Sequence, residues 1–349
     1  MSQSITRRSI LFGGSAALLH GMTPRASAAD WRDARAGRNV LRISHQWPGA
    51  LNGSGDFRDG VIRKFAREVE QRTSNGLKFE IFPDESFVAA SAQFGSLQRG
   101  DLDLAVFPLS YAAASIPALN IALLPALVQG YDQARAWKQS RLGDEIRRLT
   151  EANGIKIVSW LWQPGGIASR TRPLVTPGDV EGRTIRSGGE EFEQFLLRLG
   201  GSTRDLSSSQ FYQSMQSGAI DAVITSSTSL IDLHLEELSR SLTGISDRSI
   251  WFVLEPLVMS VDRFGGLTRS QKSILLAAGE ETEELWIREA KADDRRLANL
   301  FGRQRVQIKY MDDSAFHEWR AAAIEHSWPY YSRRSDECAN LLKLAQDIG

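Results

Sequence analysis

The stretch "YQSMQSGAIDAVITSSTS", residues 212–229, combines the end of a predicted helix, a glycine stop and a short apolar strand. Its first ten residues match "FGSLQRGDLD", residues 94–103, in residue type: a helix end, Gln-x-Gly, then an apolar residue and Asp. Gly100 and Gly218 follow the helix ends, where a left-handed backbone favours glycine. A match this short is also compatible with convergence of a common helix-to-strand turn. We interpret it as one equivalent element in each of two similar lobes.

Predicted strands and helices alternate on both sides of this repeat, up to about residue 225. Apolar residues recur every four positions over 57–74, which predicts a helix. Alternating or apolar runs predict strands over 39–45, 77–83 and 102–108, with a further helix at about 90–99. This alternation is typical of α/β lobes with largely parallel sheets.

The chain has 349 residues, which favours two lobes over one core. We expect lobe one to comprise 39–162 and about 248–349, and lobe two about 163–247, with a ligand cleft between them. The apolar run 251–264 predicts a long strand that bridges the lobes. Few helix breakers occur over 268–301, which predicts a long helix, and shorter helices are expected at 314–328 and 336–346.

The composition excludes several functional classes. Lys+Arg and Asp+Glu both number 42, so the chain offers no basic surface that would attract nucleic acid. Cys338 is the single cysteine, and no Cys/His cluster indicates a metal site. No dinucleotide, P-loop, metalloprotease or serine-hydrolase motif is present, so we expect no cofactor and no enzymatic activity.

The first 28 residues have the features of an export signal. Arg7-Arg8 precede a short apolar stretch, and Ala26-Ser27-Ala28 has the form of a cleavage site. We interpret 1–28 as a twin-arginine signal, so that a periplasmic protein begins at Ala29. The alternatives are a general secretory signal with two incidental arginines and an uncleaved anchor.

The stretch "TPGDVEGRTIRSGGEEF", residues 176–192, places an arginine between a strand and a helix. Arg186 ends the predicted strand, and Ser187-Gly188-Gly189-Glu190 has the form of a helix capping box. Such a junction suits an anionic ligand. The alternative is a surface arginine paired with Glu190, Glu191 or Asp205.

Hydroxyl side chains follow other strands of the same lobe. The run Thr225-Ser226-Ser227-Thr228-Ser229 follows a predicted strand, and ligands of open α/β sheets bind beyond the carboxyl ends of strands. Ser208 lies in a second junction, where Ser207-x-x-Gln210 predicts a helix cap. With Arg186, these groups would form a carboxylate site. A solvated loop is the alternative for the hydroxyl run.

Residues beside the first strand and the lobe boundary are further candidates. Gln46 and Trp47 follow the strand 39–45, and Trp162 ends the predicted strand 155–162. We expect these side chains to line the cleft. The alternative for the tryptophans is an ordinary place in the core.

Several motifs, in order, resemble the solute-binding proteins of tripartite ATP-independent periplasmic (TRAP) transporters, the DctP family. "RPLVTPGDVEGRTIRSGGEEFEQFLLRLGG", 172–201, resembles the family pattern R-P-x-x-T-P-x-D-[VL]-x-G-x-x-[IL]-R. "FYQSMQSGAIDAV", 211–223, resembles the family's Y-x-A-L-Q-x-G-x-[VI]-D segment. "LQRGDLDLAVFPLSYA", 97–112, and "NIALLPALVQGYDQARAW", 120–137, resemble its first lobe.

The resemblance implies a two-lobed periplasmic binding protein that closes on an organic acid and serves a membrane permease. The family's carboxylate-binding arginine falls on Arg186. Three departures concern the pocket: Gly165-Gly166-Ile167 stands where sugar-acid binders often carry a second arginine, Thr225 stands where many members have asparagine, and Ser208 stands near where many have an aromatic residue. These departures argue against sialic acid and succinate-type ligands, whereas the tryptophans leave room for an apolar or aromatic monocarboxylate. The alternatives are an exported enzyme and a binding protein that serves a sensor.

Overall fold

The computed structural model describes residues 40–50, 55–204, 206, 208–245 and 248–348. The predicted signal therefore lies outside the described residues. The chain builds two mixed β-sheets with helices packed against them. In the described part, no helix combines the length and apolar character that a membrane span requires.

The first sheet has five strands in the order β2-β1-β3-β11-β4. Strands β1, β2 and β3 are parallel, whereas β11 is antiparallel to both β3 and β4. Its strands are β1 Val40–His45, β2 Lys78–Phe82, β3 Leu104–Val106, β4 Ile155–Ser159 and β11 Leu257–Ser260.

The second sheet has seven strands, in the order β12-β9-β5-β8-β6-β7, and β10 pairs with β5. Strand β5 is antiparallel to β8, β9 and β10, so the expectation of largely parallel sheets is wrong for the strands around β5. The strands are β5 Trp162–Ser169, β6 Thr184–Arg186, β7 Ser202–Thr203, β8 Ala222–Ser226, β9 Ser241–Gly244, β10 Trp251–Leu254 and β12 Gln307–Tyr310.

Twelve α-helices lie in the described residues, and several predicted bounds hold to within two residues. They are α1 Phe57–Arg72, α2 Ala90–Gln98, α3 Tyr131–Lys138, α4 Arg141–Ala152, α5 Glu190–Arg198, α6 Phe211–Ser217, α7 Ser227–Asp232, α8 Val261–Gly265, α9 Arg269–Arg303, α10 Asp313–His326, α11 Trp328–Ser332 and α12 Asp336–Gln346. Short 3-10 turns cover Leu109–Ala112, Pro117–Leu123, Pro177–Val180, Ser208–Gln210 and Leu235–Glu237.

The helix α9 has 35 residues, which confirms the prediction of a long C-terminal helix. It contacts strands of both sheets. A capping box at Thr268 and Gln271 starts it. Near its first third it lies so close to β4 that a Cβ on Gly279 would stand 2.3 Å from the Val158 carbonyl oxygen. The Ser159 hydroxyl donates to the Gly279 carbonyl at 2.7 Å across the same contact. Glycine is therefore required where the helix meets the first sheet.

The two copies of the repeat adopt the same local structure. Gly100 and Gly218 have φ of +70° and +82°, which confirms the left-handed conformation expected after each helix. Asp103 accepts a hydrogen bond from the Arg42 amide at 2.9 Å, and Asp221 accepts one from the Thr184 amide at 2.9 Å. In each sheet, the aspartate thus ties the incoming strand to its neighbour. These matching contacts support two related lobes.

Two predicted strands are each divided between the sheets. The run 155–162 forms β4 in the first sheet, and Trp162 begins β5 in the second. The run 251–264 forms β10 in the second sheet, β11 in the first, and then α8. Pro256 has no amide to donate, so the strand pairing is interrupted there. A bridging segment was correctly predicted, but a single continuous strand was wrong.

Candidate functional site

A small cavity of about 30 Å³ lies where the two sheets approach each other. This volume has room for about two or three water-sized groups. Five of the seven predicted binding residues line it. The lining residues are Gln46, Pro108, Ser110, Tyr111, Leu123, Arg186, Gly188, Ser208, Thr225, Ser226, Ser229, Trp251, Val253 and Glu255.

Arg186 ends β6 and is buried, with 8% of its surface exposed. Its Nε donates to the Leu206 carbonyl oxygen at 3.0 Å, and its guanidinium carbon lies 4.3 Å from the centre of the Phe211 ring. The stack on Phe211 and the bond to the main chain fix the orientation of the guanidinium. These contacts hold the guanidinium at the wall of the cavity, where its remaining N–H groups would contact an anion bound there.

The alternative of a surface arginine is wrong in its exposure, because Arg186 is buried, and two of the three partners proposed for it are bonded to Arg334. Glu190 and Glu191 each accept a hydrogen bond from Arg334 at 2.7 Å. The third proposed partner, Asp205, lies outside the described residues. The predicted capping box is also wrong, because the N-cap of α5 is Gly189, with φ of +84°, and not Ser187.

The hydroxyl run is a buried strand-to-helix junction and not a solvated loop. Thr225 and Ser226 end β8, and the Ser226 hydroxyl caps α7 by accepting from the Ser229 amide at 3.2 Å. The junction brings three hydroxyl side chains to the cavity that Arg186 lines. These side chains supply short, uncharged donors and acceptors.

Ser208 and Gln46 reach the cavity from opposite parts of the chain. Ser208 lies in the 3-10 turn before α6, whereas Ser207, the predicted cap residue, lies outside the described residues. Gln46 follows β1, and its Oε1 accepts a hydrogen bond from the Tyr111 hydroxyl at 3.3 Å. Both groups therefore contribute polar atoms at a wall that includes Arg186.

The structure places neither Trp47 nor Trp162 on the wall of this cavity. Trp47 is buried under Arg58, whose guanidinium carbon lies 4.5 Å from the ring centre, and it contacts Trp286. Trp162 packs edge-on against Trp137 and lines a separate cavity of about 310 Å³. Trp162 begins β5 and does not end β4, which places its ring away from the cavity that Arg186 lines.

The prediction missed Arg58, a fully buried arginine in the first turn of α1. Its Nε and Nη2 donate to the Asp56 carboxylate at 2.9 and 2.6 Å. Its Nη1 donates to the hydroxyls of Ser226 and Ser229 at 3.4 and 3.2 Å. Burial opposes the charge, but Asp56 outweighs it and raises the pKa of Arg58. Arg58 thus connects α1, which packs on the first sheet, with two cavity residues of the second.

Two carboxyl groups near Arg58, one buried and one partly buried, have strongly altered pKa values. Burial, reinforced by Asp56, raises the pKa of Asp232 to about 8, and the Asp232 carboxylate lies 3.8 Å from Arg58. Burial also raises the pKa of Glu255, a cavity residue, to about 7. At neutral pH both groups therefore hold a proton for much of the time. In the sequence, the one signal for a special role of Glu255 is that it is a charged residue within the apolar run 251–264.

Comparison with known proteins identifies the relatives of this chain. The family model described as bacterial extracellular solute-binding protein, family 7 (DctP), matches residues 52–333. A solute-binding protein from Albidiferax ferrireducens is 41% identical over 321 residues, which span 92% of this chain and 95% of that protein.

Solved structures have the same fold. The crystal structure of a TRAP periplasmic solute-binding protein from Rhodoferax ferrireducens, with bound malonate, is 41% identical and has a TM-score of 0.86. The similarity covers 88% of this chain and 98% of that chain. A TRAP periplasmic solute-binding protein from Desulfovibrio salexigens, with bound orotic acid, is 17% identical, covers 89% of this chain and 98% of its own, and has a TM-score of 0.80. This second similarity shows the fold alone.

Proposed function

Because the chain belongs to family 7 of the bacterial extracellular solute-binding proteins, we propose that it captures a small organic acid by its carboxylate and delivers it to a TRAP-type membrane permease. The observation that carries this proposal is the buried guanidinium of Arg186 on the wall of a cavity that hydroxyl side chains also line. The relative that is 41% identical was crystallised with malonate, a carboxylate.

Arginine is suited to this role by its shape as well as its charge. A planar guanidinium offers two parallel N–H groups to the two oxygens of a carboxylate. Burial strengthens these charge-assisted bonds, since water no longer competes for them. Thr225, which lines the same cavity, would donate to an oxygen atom that the arginine does not reach, whereas the Ser226 hydroxyl already donates to Ser229.

We expect Arg186→Ala to weaken binding of the acid by about 30-fold to several thousand-fold. This range corresponds to the roughly 2–5 kcal/mol that the loss of one partner of a desolvated charge pair costs. Arg186→Lys should restore only part of the affinity, because an ammonium lacks the planar fork. Calorimetric titration, with an acid identified by mass spectrometry after its release from purified protein, measures these affinities.

Arg183→Ala is the matched control for Arg186→Ala. Arg183 also has 8% of its surface exposed and precedes the same strand, but it donates to the Thr171 hydroxyl and does not line the cavity. Its removal should change stability and leave the affinity within about threefold of wild type. Equal affinities for wild type, Arg186→Ala and Arg186→Lys would refute the role of Arg186.

We also propose that the protein binds its acid without chemical conversion. No histidine, cysteine or lysine occurs among the described lining residues, and Glu255, whose pKa would suit a general base, is hydrogen-bonded to Gln163 and not to a hydroxyl nucleophile in the described contacts. Ser226, a conceivable nucleophile, instead caps α7. Unchanged acid recovered after prolonged incubation would support binding alone, whereas a product would favour the exported enzyme. Two adjacent permease genes would favour transport over a sensor.

Export through the twin-arginine route, with cleavage after Ala28, completes the proposal. The support is Arg7-Arg8, the apolar stretch and Ala26-Ser27-Ala28, together with a family whose description is extracellular. N-terminal sequencing of periplasmic protein should begin at Ala29, and replacing both arginines by lysine should block export. Retention of Met1 in the membrane fraction would contradict cleavage.

A further inference from the structure

Glu255 is the one acidic residue among the described residues that line the Arg186 cavity. It lies between β10 and β11, where the chain passes from the second sheet to the first, and only 3% of its surface is exposed. Its amide donates to the Leu161 carbonyl oxygen at 2.8 Å. Its Oε2 accepts a hydrogen bond from Gln163 Nε2, and Gln163 is itself buried. The carboxyl group is thus fixed in place by main-chain and side-chain contacts.

The groups around Glu255 act on its charge in opposite directions. Burial favours the neutral form most strongly, and the negative charge of Asp56 adds to this effect. The positive charge of Arg58 and the hydrogen bond from Gln163 favour the ionised form. Tyr111 and Arg186 line the same cavity.

A ligand carboxylate in this cavity adds a negative charge close to Glu255. Two carboxylates in one small, desolvated space do not both stay ionised, because a like charge raises the pKa of its neighbour. If the ligand carboxylate is bound by Arg186, the proton stays on Glu255. Since Oε2 accepts from Gln163, the proton is carried by Oε1, which then donates a hydrogen bond.

We propose that Glu255 determines ligand specificity by donating a hydrogen bond from its protonated carboxyl group to a hydroxyl or carbonyl oxygen of the bound acid. This inference rests on the proposed function of the cavity. The ligand class is then a small hydroxy- or oxo-carboxylate. Above neutral pH, each binding event takes up one proton from solvent, which goes to Glu255.

The sign of the pH dependence follows from proton uptake. The affinity for the acid is highest below the pKa of unliganded Glu255, which is about 7. It falls by about tenfold for each pH unit above that value, until the pKa of the complex is reached. Lower pH therefore strengthens binding and higher pH weakens it.

A panel of matched acids tests the proposal. The pairs are lactate with propionate, 3-hydroxybutyrate with butyrate, and malate with succinate. The monocarboxylates are ionised throughout pH 6–8.5, so they are used for the pH series. Thermal shift should rank the hydroxylated member of a pair above its plain partner, and calorimetry of the best acid should show the fall in affinity with pH. Glu255→Gln keeps a donor but cannot titrate, so its affinity should stay within about twofold over this range. Glu255→Ala should lose the preference for the hydroxyl group.

Glu283→Gln is the matched control for Glu255→Gln. Burial also raises the pKa of Glu283, but this carboxyl accepts from the Trp160 amide and lines the separate cavity beside Trp162. This variant should keep the wild-type pH profile. A flat wild-type profile, or loss of binding in Glu255→Gln, would overturn the role of Glu255 while Arg186 still binds acids. If no acid of the panel shifts the melting temperature of wild type although the acid released from purified protein does, the ligand class inferred here is wrong while the proposed function stands.

Discussion

Replacing Arg58 with methionine is expected to lower the free energy of unfolding by about 3–5 kcal/mol, because it removes the cation of a buried ion pair. Methionine keeps much of the side-chain volume, so the change isolates the charge. The Asp56 side chain is fully buried and lies 2.6 Å from Arg58 Nη2. Without Arg58, the Asp56 carboxylate remains in the interior with its main counter-charge gone.

The same substitution also removes a connection between the two sheets. Arg58 donates to Ser226 and Ser229, which line the cavity, so acid binding should weaken together with stability. Ser229→Ala, which removes only one neutral acceptor, should cost about 0.5–1.5 kcal/mol. Asp56→Asn combined with Arg58→Met should recover part of the loss, because both members of the pair are then uncharged.

Urea denaturation followed by circular dichroism measures these differences. Arg72→Met is the matched control, since Arg72 lies in the same helix and is also 2.6 Å from a carboxylate, Glu281, but the pair is solvent-exposed. It should cost less than about 1 kcal/mol. If Arg58→Met cost no more than Arg72→Met, the buried pair would not have the stabilising role that its geometry indicates.

Two further expectations concern glycines and closure. Gly218→Ala should lower the free energy of unfolding by about 1 kcal/mol, since φ is +82° and the new Cβ would lie 2.9 Å from Arg170 Nη1. Gly60→Ala, in the middle of α1, should raise it by about 0.5–1 kcal/mol, because nothing lies within 4 Å of the new Cβ. Denaturation midpoints that moved the same way in both variants would contradict this. If the lobes close on the acid, small-angle scattering should show a smaller radius of gyration at saturating ligand, and identical curves would exclude a large closure.

Local signals in the sequence predicted much of the fold. Gly100 and Gly218 marked helix ends correctly because a left-handed backbone strongly favours glycine. The stretch 268–301 contains few helix-breaking residues, and a helical pattern of that length fits a long helix better than strands or loops, so it predicted α9. The alternation of helices and strands predicted α/β lobes, but it did not show that β5, β10 and β11 run antiparallel, since strand direction depends on the path of the whole chain.

The errors at the site concern residues whose position depends on packing between distant parts of the chain. Trp162 was assigned to the wrong strand because an apolar run does not show where the chain leaves one sheet for the other. Arg58 was missed because an arginine in a first helical turn is usually exposed, and its burial depends on Asp56 and on residues 168 and 171 positions away. Glu255 had a visible signal, a charge followed by proline in an apolar run, which typically marks a functional or structural exception.

A crystal structure of the protein with its bound acid tests the central claim most directly. We expect the ligand carboxylate to lie within about 3.2 Å of two guanidinium nitrogens of Arg186, in the cavity that Thr225 and Ser226 also line. A carboxylate bound elsewhere, or an acid in this cavity with its carboxylate turned away from Arg186, would contradict the account.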